Sequence, residues 1–338
     1  MSGQQTGSQP LVSVVIPTFN RADILGRCLQ ALAKQTYRPF EVIVVDDCSR
    51  DETPQILSEF AAAHPDMRLR HVRNAEQSGA NPSRNRAVAM SEGSLIAFED
   101  DDCIADPNWL QALVAQFVSD EVGAVTGIVH DPQPRNIYDL AFRGTHRVYG
   151  KELASRLIAG NMCVRRQYLD GALDEDRAEV SEDNTVSGRG DEEGLFLRLR
   201  RAGKQVRIAH DATVLHEHYY TRSSFFRQAL KGGRSAARLG HKYGLPLRPE
   251  LLCLALGWAS VPVAVVVPVA IVPGAICFSL FAGATLVYNE IWRKDKTPLQ
   301  ALKVAPVMTA YYHVRAFGYF RELLRLQLGR SELQRAAS

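Results

Sequence analysis

Four short apolar runs in the N-terminal third, with stretches of helical periodicity between them, constrain this chain more than any other feature. Leu11 to Ile16 is β-branched and apolar on both faces, as a strand covered from both sides must be, and Pro17 is expected to end it. Asn20 then reads as an N-cap, and Ile24, Leu25, Cys28, Leu29 and Leu32 fall at helical spacing as far as Gln35. Phe40 to Val45 repeats the strand pattern and stops abruptly at Asp46-Asp47. The alternation continues with a helix over Thr53–Ala63, a strand over Leu69–Val72, a helix over Ser83–Met90 and a strand over Leu95–Phe98, which runs into Glu99-Asp100-Asp101-Asp102. This order predicts an α/β fold, a parallel sheet with helices on both faces, in which ligands bind beyond the carboxyl ends of the strands.

Composition narrows the function classes. With 40 Lys and Arg against 37 Asp and Glu, the net charge of +3 gives no global case for nucleic acid as a partner. A chain of 338 residues that is 46% hydrophobic and 23% charged is neither disordered, collagenous nor a small disulfide scaffold. Cys28, Cys48, Cys103, Cys163, Cys253 and Cys277 are widely spaced and follow no secretory signal, so they read as reduced thiols and the soluble part is expected to face the cytoplasm. No Gly-x-Gly-x-x-Gly follows the first strand and no Gly-x-x-x-x-Gly-Lys-Ser/Thr occurs, so neither a dinucleotide site nor a P-loop is indicated.

The pattern changes after Tyr220. Arg227, Lys231, Arg234, Arg238 and Lys242 recur at helical spacing, which puts five cations on one face of a helix suited to an anionic membrane surface. Leu251 to Tyr288 holds no Asp, Glu, Lys, Arg or His. One bilayer crossing needs about 20 apolar residues, so two are expected here, broken at Pro273-Gly274. Lys242 and Arg248 before the run, and Arg293, Lys294 and Lys296 after it, would hold both ends in the cytoplasm. A buried helical core is the alternative, but so small an appendage offers little protein to cover such a run. Leu299 to Leu328 carries Lys303, His313, Arg315, Arg321 and Arg325 among apolar residues and reads as an interfacial helix. The expected organisation is a disordered start over 1–10, an α/β domain over 11–220, a basic amphipathic interfacial helix over 221–250, a transmembrane helical hairpin over 251–292 and an interfacial helical tail over 293–338.

Both acidic clusters directly follow strands, where the backbone aims their side chains into a shared crevice. Three successive aspartates repel one another, and a bound divalent cation, which prefers oxygen ligands and bridges phosphates, relieves that repulsion. A solvated acidic loop is the alternative, and in Asp46-Asp47 a strand-ending Asp often caps the next turn.

Val14-Val15-Ile16-Pro17-Thr18-Phe19-Asn20, Val44-Val45-Asp46-Asp47-Cys48-Ser49, Arg84-Asn85, Ala97-Phe98-Glu99-Asp100-Asp101-Asp102 and the stretch Leu195 to Gly203 resemble, in register, glycosyltransferase family 2 of the GT-A fold, in its membrane-associated bacterial form. The likeness extends to His216 and covers roughly Leu11 to Tyr220. It implies a Rossmann-like nucleotide-diphospho-sugar transferase domain followed by the amphipathic and transmembrane helices. By the same resemblance Asp47 would read the base of the nucleotide, Phe19 with Pro17 would pack on it, Asp101 would approach the ribose and Arg84 would stand near the donor. Asp102, with Asp100, would hold Mn2+ or Mg2+ on the donor diphosphate, and His216 would stand near the metal or the diphosphate, a solvated loop histidine being the alternative. Charge develops on the leaving diphosphate, and a metal stabilises it there without needing a proton.

The general base is where the chain departs from the family pattern, which has Glu-Asp ahead of the Leu-Arg-Leu helix. Here the order is Asp191-Glu192, followed by Glu193. Counting back from Leu195 puts Glu192 in the base position with Asp191 as its competitor, while all three acids also suit the start of the following helix. A Gln-x-x-Arg-Trp motif, the family's mark of processive synthases, is absent after His216, so one sugar per acceptor is expected. The resemblance thus implies an inverting, metal-dependent transferase using a nucleotide-sugar, UDP by default, on a lipid-linked or glycan acceptor in cell-surface polysaccharide or glycolipid synthesis. Its place would be the inner membrane, with the catalytic domain on the cytoplasmic face. Transfer to a polyprenyl phosphate and a catalytically silent nucleotide-sugar-binding scaffold are the rival readings.

Overall fold

A computed structural model describes residues 9–145, 148, 150–169, 173, 191–247, 251, 252, 254–256, 258 and 296–336. The chain divides into two compact units, one built from residues 1–132, 148–186 and 191–218, the other from 133–147, 187–190 and 219–338. The expected disordered start lies outside the described residues except for Gln9 and Pro10. Pro10 is already tied down, because its carbonyl accepts a 2.6 Å hydrogen bond from the Tyr37 hydroxyl.

The first unit is a sheet with helices on both faces. β1 (Val12–Thr18), α1 (Ala22–Ala33), β2 (Phe40–Asp46), α2 (Thr53–Ala63), β3 (Leu69–Arg73), α3 (Ala80–Met90) and β4 (Leu95–Glu99) follow the predicted order closely. Next come β5 (Cys103–Ala105), α4 (Trp109–Val114), β6 (Val122–His130), β7 (Asn161–Arg165), α6 (Asp191–Arg201) and β8 (Gln205–His216), with α5 (Ile137–Phe142) in the second unit. Strands stand in the order β3-β2-β1-β4-β7-β6-β8-β5. Side chains of β1 alternate between faces. Val12, Val14 and Ile16 join Leu25, Leu29 and Leu57 of α1 and α2 with Trp109 of α4, while Val15 joins Ala87 of α3 and Leu195 and Leu199 of α6. Burying both faces explains why these strands read as continuous apolar runs.

Three local expectations need correction. β1 continues through Pro17 to Thr18; its pairing with β4 ends at Val15, so Pro17 lies where the strand has a neighbour on one side only. Asn20 is not an N-cap. It takes a left-handed φ of 49°, and its polar groups link two loops, the backbone N–H donating to Ser49 Oγ (2.9 Å) and Oδ1 accepting from the Arg50 N–H (2.7 Å). Nor is the sheet wholly parallel. β7 runs antiparallel to both β4 and β6, and β5 antiparallel to β8.

The antiparallel strands carry a buried polar knot that frames the sheet's carboxyl edge. Asn161 Oδ1 accepts from Trp109 Nε1 (2.8 Å), and its Nδ2 donates to the carbonyls of Ile128 and Ala212 (3.0 Å each).

The second unit contains α5, α7 (Arg222–Tyr243) and α8 (Pro298–Ala336). Thr221 caps α7 through a capping box with Ser224. Phe142, Tyr220, Phe225, Met308 and Tyr311 form its aromatic core. Of the five cations expected to face a membrane, Arg238 is instead drawn to the buried Glu322 of α8 at 3.2 Å. Lys296, expected as a flanking charge, is buried and donates to the Arg143 carbonyl. The hairpin expected over 251–292 falls outside the described residues apart from 251, 252, 254–256 and 258. Among the described residues no helix is long and apolar enough to cross a membrane.

Candidate active site

The turn from β4 to β5 builds the site. Cys103 N–H closes it on the Asp100 carbonyl (3.0 Å), and β5 then pairs with β8 so that Cys103 lies opposite His216. The Glu217 N–H reaches back to the Asp102 carbonyl at 2.7 Å. This register brings two histidines onto one buried carboxylate. His216 Nε2 lies 3.3 Å from Asp102 Oδ1 and His218 Nδ1 lies 3.3 Å from Oδ2, with the two rings stacked 5.5 Å apart.

Asp101 turns toward the end of β1, where Oδ2 accepts from Thr18 Oγ1 (2.7 Å) and Oδ1 lies 3.3 Å from Arg21 Nη1. Arg21 also donates to Asp102 Oδ2. Asp100 pairs with Arg84, whose Nη2 stands 2.5 Å from Oδ1 while Nη1 donates to Asn81 Oδ1. Asp100 and Arg84 are thus brought to one place, Asp101 and Asp102 to another within the same turn.

Burial and neighbouring charges balance differently at Asp101, Asp102, His216 and Arg21. Burial raises Asp101 above the usual carboxylate range, with Arg21 opposing. It would raise Asp102 too, but the charges of His216 and Arg21 outweigh it and hold that carboxyl well below the ordinary value. For His216, burial favours the neutral ring, yet Asp102 overrides it and the net shift is upward. Arg21 is raised chiefly by Asp101.

Two groups of side chains here have ligating atoms within 4.8 Å of one another, Asp102 with His216 and His218, and Asp100 with Asp102 and Cys103. Burial pushes the Cys103 thiol up, so it stays protonated and donates poorly to a metal. One carboxylate with two imidazoles is a donor set that fits Mn2+ and its neighbours. Of the expected Asp102, Asp100 and His216, Asp102 and His216 fall in one group with His218, and Asp100 falls with Asp102 in the other, where Arg84 also engages it.

The remaining expected residues lie as follows. Asp47, after β2, spends both carboxylate oxygens on the loop ahead of α3. Oδ1 accepts from Asn74 Nδ2 (2.7 Å) and the Ser78 N–H (2.9 Å), and Oδ2 from the Gly79 N–H (2.7 Å). Pro17 is buried in β1 and Phe19 is half-buried just beyond it. Glu192 stands in the first turn of α6, where Arg156 Nη2 comes within 4.0 Å of Oε1. Asp191 opens α6, and its side chain lies outside the described residues. Sequence reasoning missed Arg21, Thr18 and His218. For His218 a signal existed, since residues two apart at a strand end share a face.

The site is thus a strand-terminal acidic turn facing two histidines at the end of a neighbouring strand, on a Rossmann-type sheet. Residues 13–170 match Glycosyl transferase family 2. The glycosyltransferase AglE of Haloferax volcanii is 35% identical over 131 residues, 38% of this chain and 42% of AglE. WcaA of Escherichia coli K12, named for colanic acid biosynthesis, is 34% identical over 108 residues, 32% of this chain and 38% of WcaA. The chain thus spans about two fifths of the length of these curated relatives. The mannosyltransferase PcManGT of Pyrobaculum calidifontis, solved with GDP-Man and Mn2+, shares the fold with a TM-score of 0.60 at 19% identity, over 93% of this chain and 88% of that one.

Proposed function

We propose that the chain is an inverting, non-processive glycosyltransferase that moves one sugar from a nucleotide-sugar to an acceptor hydroxyl with the help of a divalent cation. The observation that carries this reading is the meeting of Asp102, His216 and His218 at the carboxyl edge of a family 2 domain. When bound, a cation there would supply Lewis-acid stabilisation to the departing diphosphate. The acceptor oxygen bonds to the anomeric carbon as the bond from that carbon to the phosphate oxygen breaks. The electron pair leaves with the nucleoside diphosphate. Glu192, with Asp191 as its competitor, takes the hydroxyl proton.

Asp47 and Phe19 remain the proposed contacts of the base, and Asp101 that of the ribose. Asp47 Oδ2 accepts only from the Gly79 N–H among the described residues and so keeps acceptor capacity for a base N–H, which supports this. A nucleotide-sugar donor is further supported by the fold shared with a protein solved with GDP-Man and Mn2+; UDP is our choice of nucleotide because an Asp acceptor suits the uracil N–H.

For the acceptor we propose a lipid-linked or other membrane-borne glycan on the cytoplasmic face of the inner membrane, in polysaccharide or glycolipid assembly. The uncharged run Leu251 to Tyr288 supports membrane attachment, as do the exposed Leu299, Leu302, Phe317, Leu324 and Leu328 of α8. The test is release of nucleoside diphosphate from a panel of sugar donors with detergent-solubilised protein and a lipid-linked acceptor. Asp102→Ala is expected to abolish Mn2+-dependent turnover, a loss of at least about a hundredfold, with an unchanged circular dichroism spectrum. Unchanged turnover would overturn the assignment of the site.

A further inference from the structure

Arg21 holds the carboxylate on which the proposed cation site depends. Its Nη1 contacts Asp101 Oδ1 at 3.3 Å and Asp102 Oδ2, and that second oxygen is the one facing His218 Nδ1. Asp102 is the member common to both groups of potential ligands. We propose that Arg21 and a divalent cation compete for Asp102, so that loading the ion requires the guanidinium to let go. The inference rests on reading Asp102, His216 and His218 as the cation site.

A guanidinium and a divalent ion are alternative countercharges for two buried carboxylates, and crowding both onto one oxygen adds repulsion where screening is weak. Arg21 is also free to move at little structural cost. It is the N-cap of α1, but its side chain makes no capping hydrogen bond. The cap position is secured by the backbone, through the Arg21 carbonyl accepting from the Leu25 N–H (3.0 Å) and the Ala22 N–H donating to Asp51 (3.0 Å). Finally, the exchange has a direction. The Arg21 side chain is 31% exposed against 6% for Asp102, so the guanidinium can swing toward solvent while the carboxylate stays. A bare cation must displace the guanidinium unaided, whereas one arriving with a diphosphate brings phosphate oxygens that can take it over. Arg21 would thereby favour entry of the ion together with the donor.

The experiment is titration with Mn2+ alone, read as the loss of free-ion electron paramagnetic resonance signal, on the full chain and on Arg21→Gln. The variant is expected to bind Mn2+ at least tenfold more tightly than the unaltered chain, and Asp102→Asn in the Arg21→Gln background to remove that gain. Arg21→Lys keeps a cation without the fork, so it is the variant to use if Arg21→Gln does not fold, and it is expected to bind more tightly than the unaltered chain. Equal or weaker binding by Arg21→Gln would overturn the competition and leave the cation site standing. Tight binding that survives Asp102→Asn would place the ion elsewhere and also overturn it. Absence of Mn2+ binding in both the unaltered chain and Arg21→Gln would overturn the site reading and the competition together.

Discussion

Glu41 and Glu99 are both buried carboxylic acids, yet their surroundings give them opposite pH dependences. Burial is the largest influence on Glu41 and would raise it. Hydrogen bonds from Ser13 Oγ (2.6 Å), the Glu92 N–H (2.7 Å) and Arg70 Nη2 (2.6 Å) outweigh burial and hold it below the ordinary value. Its stabilising effect is present above the unfolded-state pKa and is lost as pH falls through the lower folded-state value. Glu99 ends β4 with no N–H or O–H on its carboxylate among the described residues, and burial, aided by the Asp100 charge and opposed only by the Cys28 thiol, raises it well above its ordinary value. The unfolded chain ionises this group first, so Glu99 costs stability as pH rises above the unfolded-state pKa. Urea unfolding in the presence of a chelator is expected to show Glu41→Gln losing about 1–3 kcal/mol at neutral pH and flattening the acid limb. Glu99→Gln should gain stability relative to the unaltered chain at pH 8 but not at pH 5. A loss for Glu99→Gln at both pH values would contradict a carboxyl that burial keeps protonated.

At the scale of elements, the antiparallel insertion of β7 between β4 and β6 depends on one close approach. A Cβ on Gly127 of β6 would stand 2.2 Å from the Ala212 carbonyl oxygen and 2.4 Å from Asn161 Oδ1. Both are fixed by the buried Asn161 hydrogen bonds, so Gly127→Ala is expected to cost about 1–3 kcal/mol or more, measured by thermal unfolding. An unchanged melting temperature would contradict that packing. Elements buried on both faces were legible in the sequence. β1, β2 and β4 announce themselves as apolar runs, and α2 was read at its observed bounds, since their signals are local. β5 is three residues long and β7 five, and what places them is pairing with strands distant in sequence. The site divides in the same way. Its acidic turn was legible because three aspartates end a strand, and His216 because it follows a pattern. Arg21 was not, since its tie to Asp102 spans 81 positions and depends on how the loop after β1 is bent by the left-handed Asn20.

Over the whole molecule, one unit carries the sheet and its acidic edge, and the other carries helices. The second unit has its own cause of order, the aromatic cluster around Phe225 and the buried pair of Glu322 with Arg238, and exposed leucines along α8. The account assigns donor chemistry to the first unit and attachment to the second. Its central claim is that Asp102, His216 and His218 make donor binding depend on a divalent ion. The most direct measurement is the melting temperature of the detergent-solubilised chain with UDP-, GDP- and dTDP-sugars, with and without Mn2+. A ligand that binds only the folded state raises that temperature by mass action. The account predicts a rise with one nucleotide class that requires Mn2+ and disappears in Asp102→Asn. A rise of equal size without Mn2+ or in Asp102→Asn, or no rise with any donor, would contradict it.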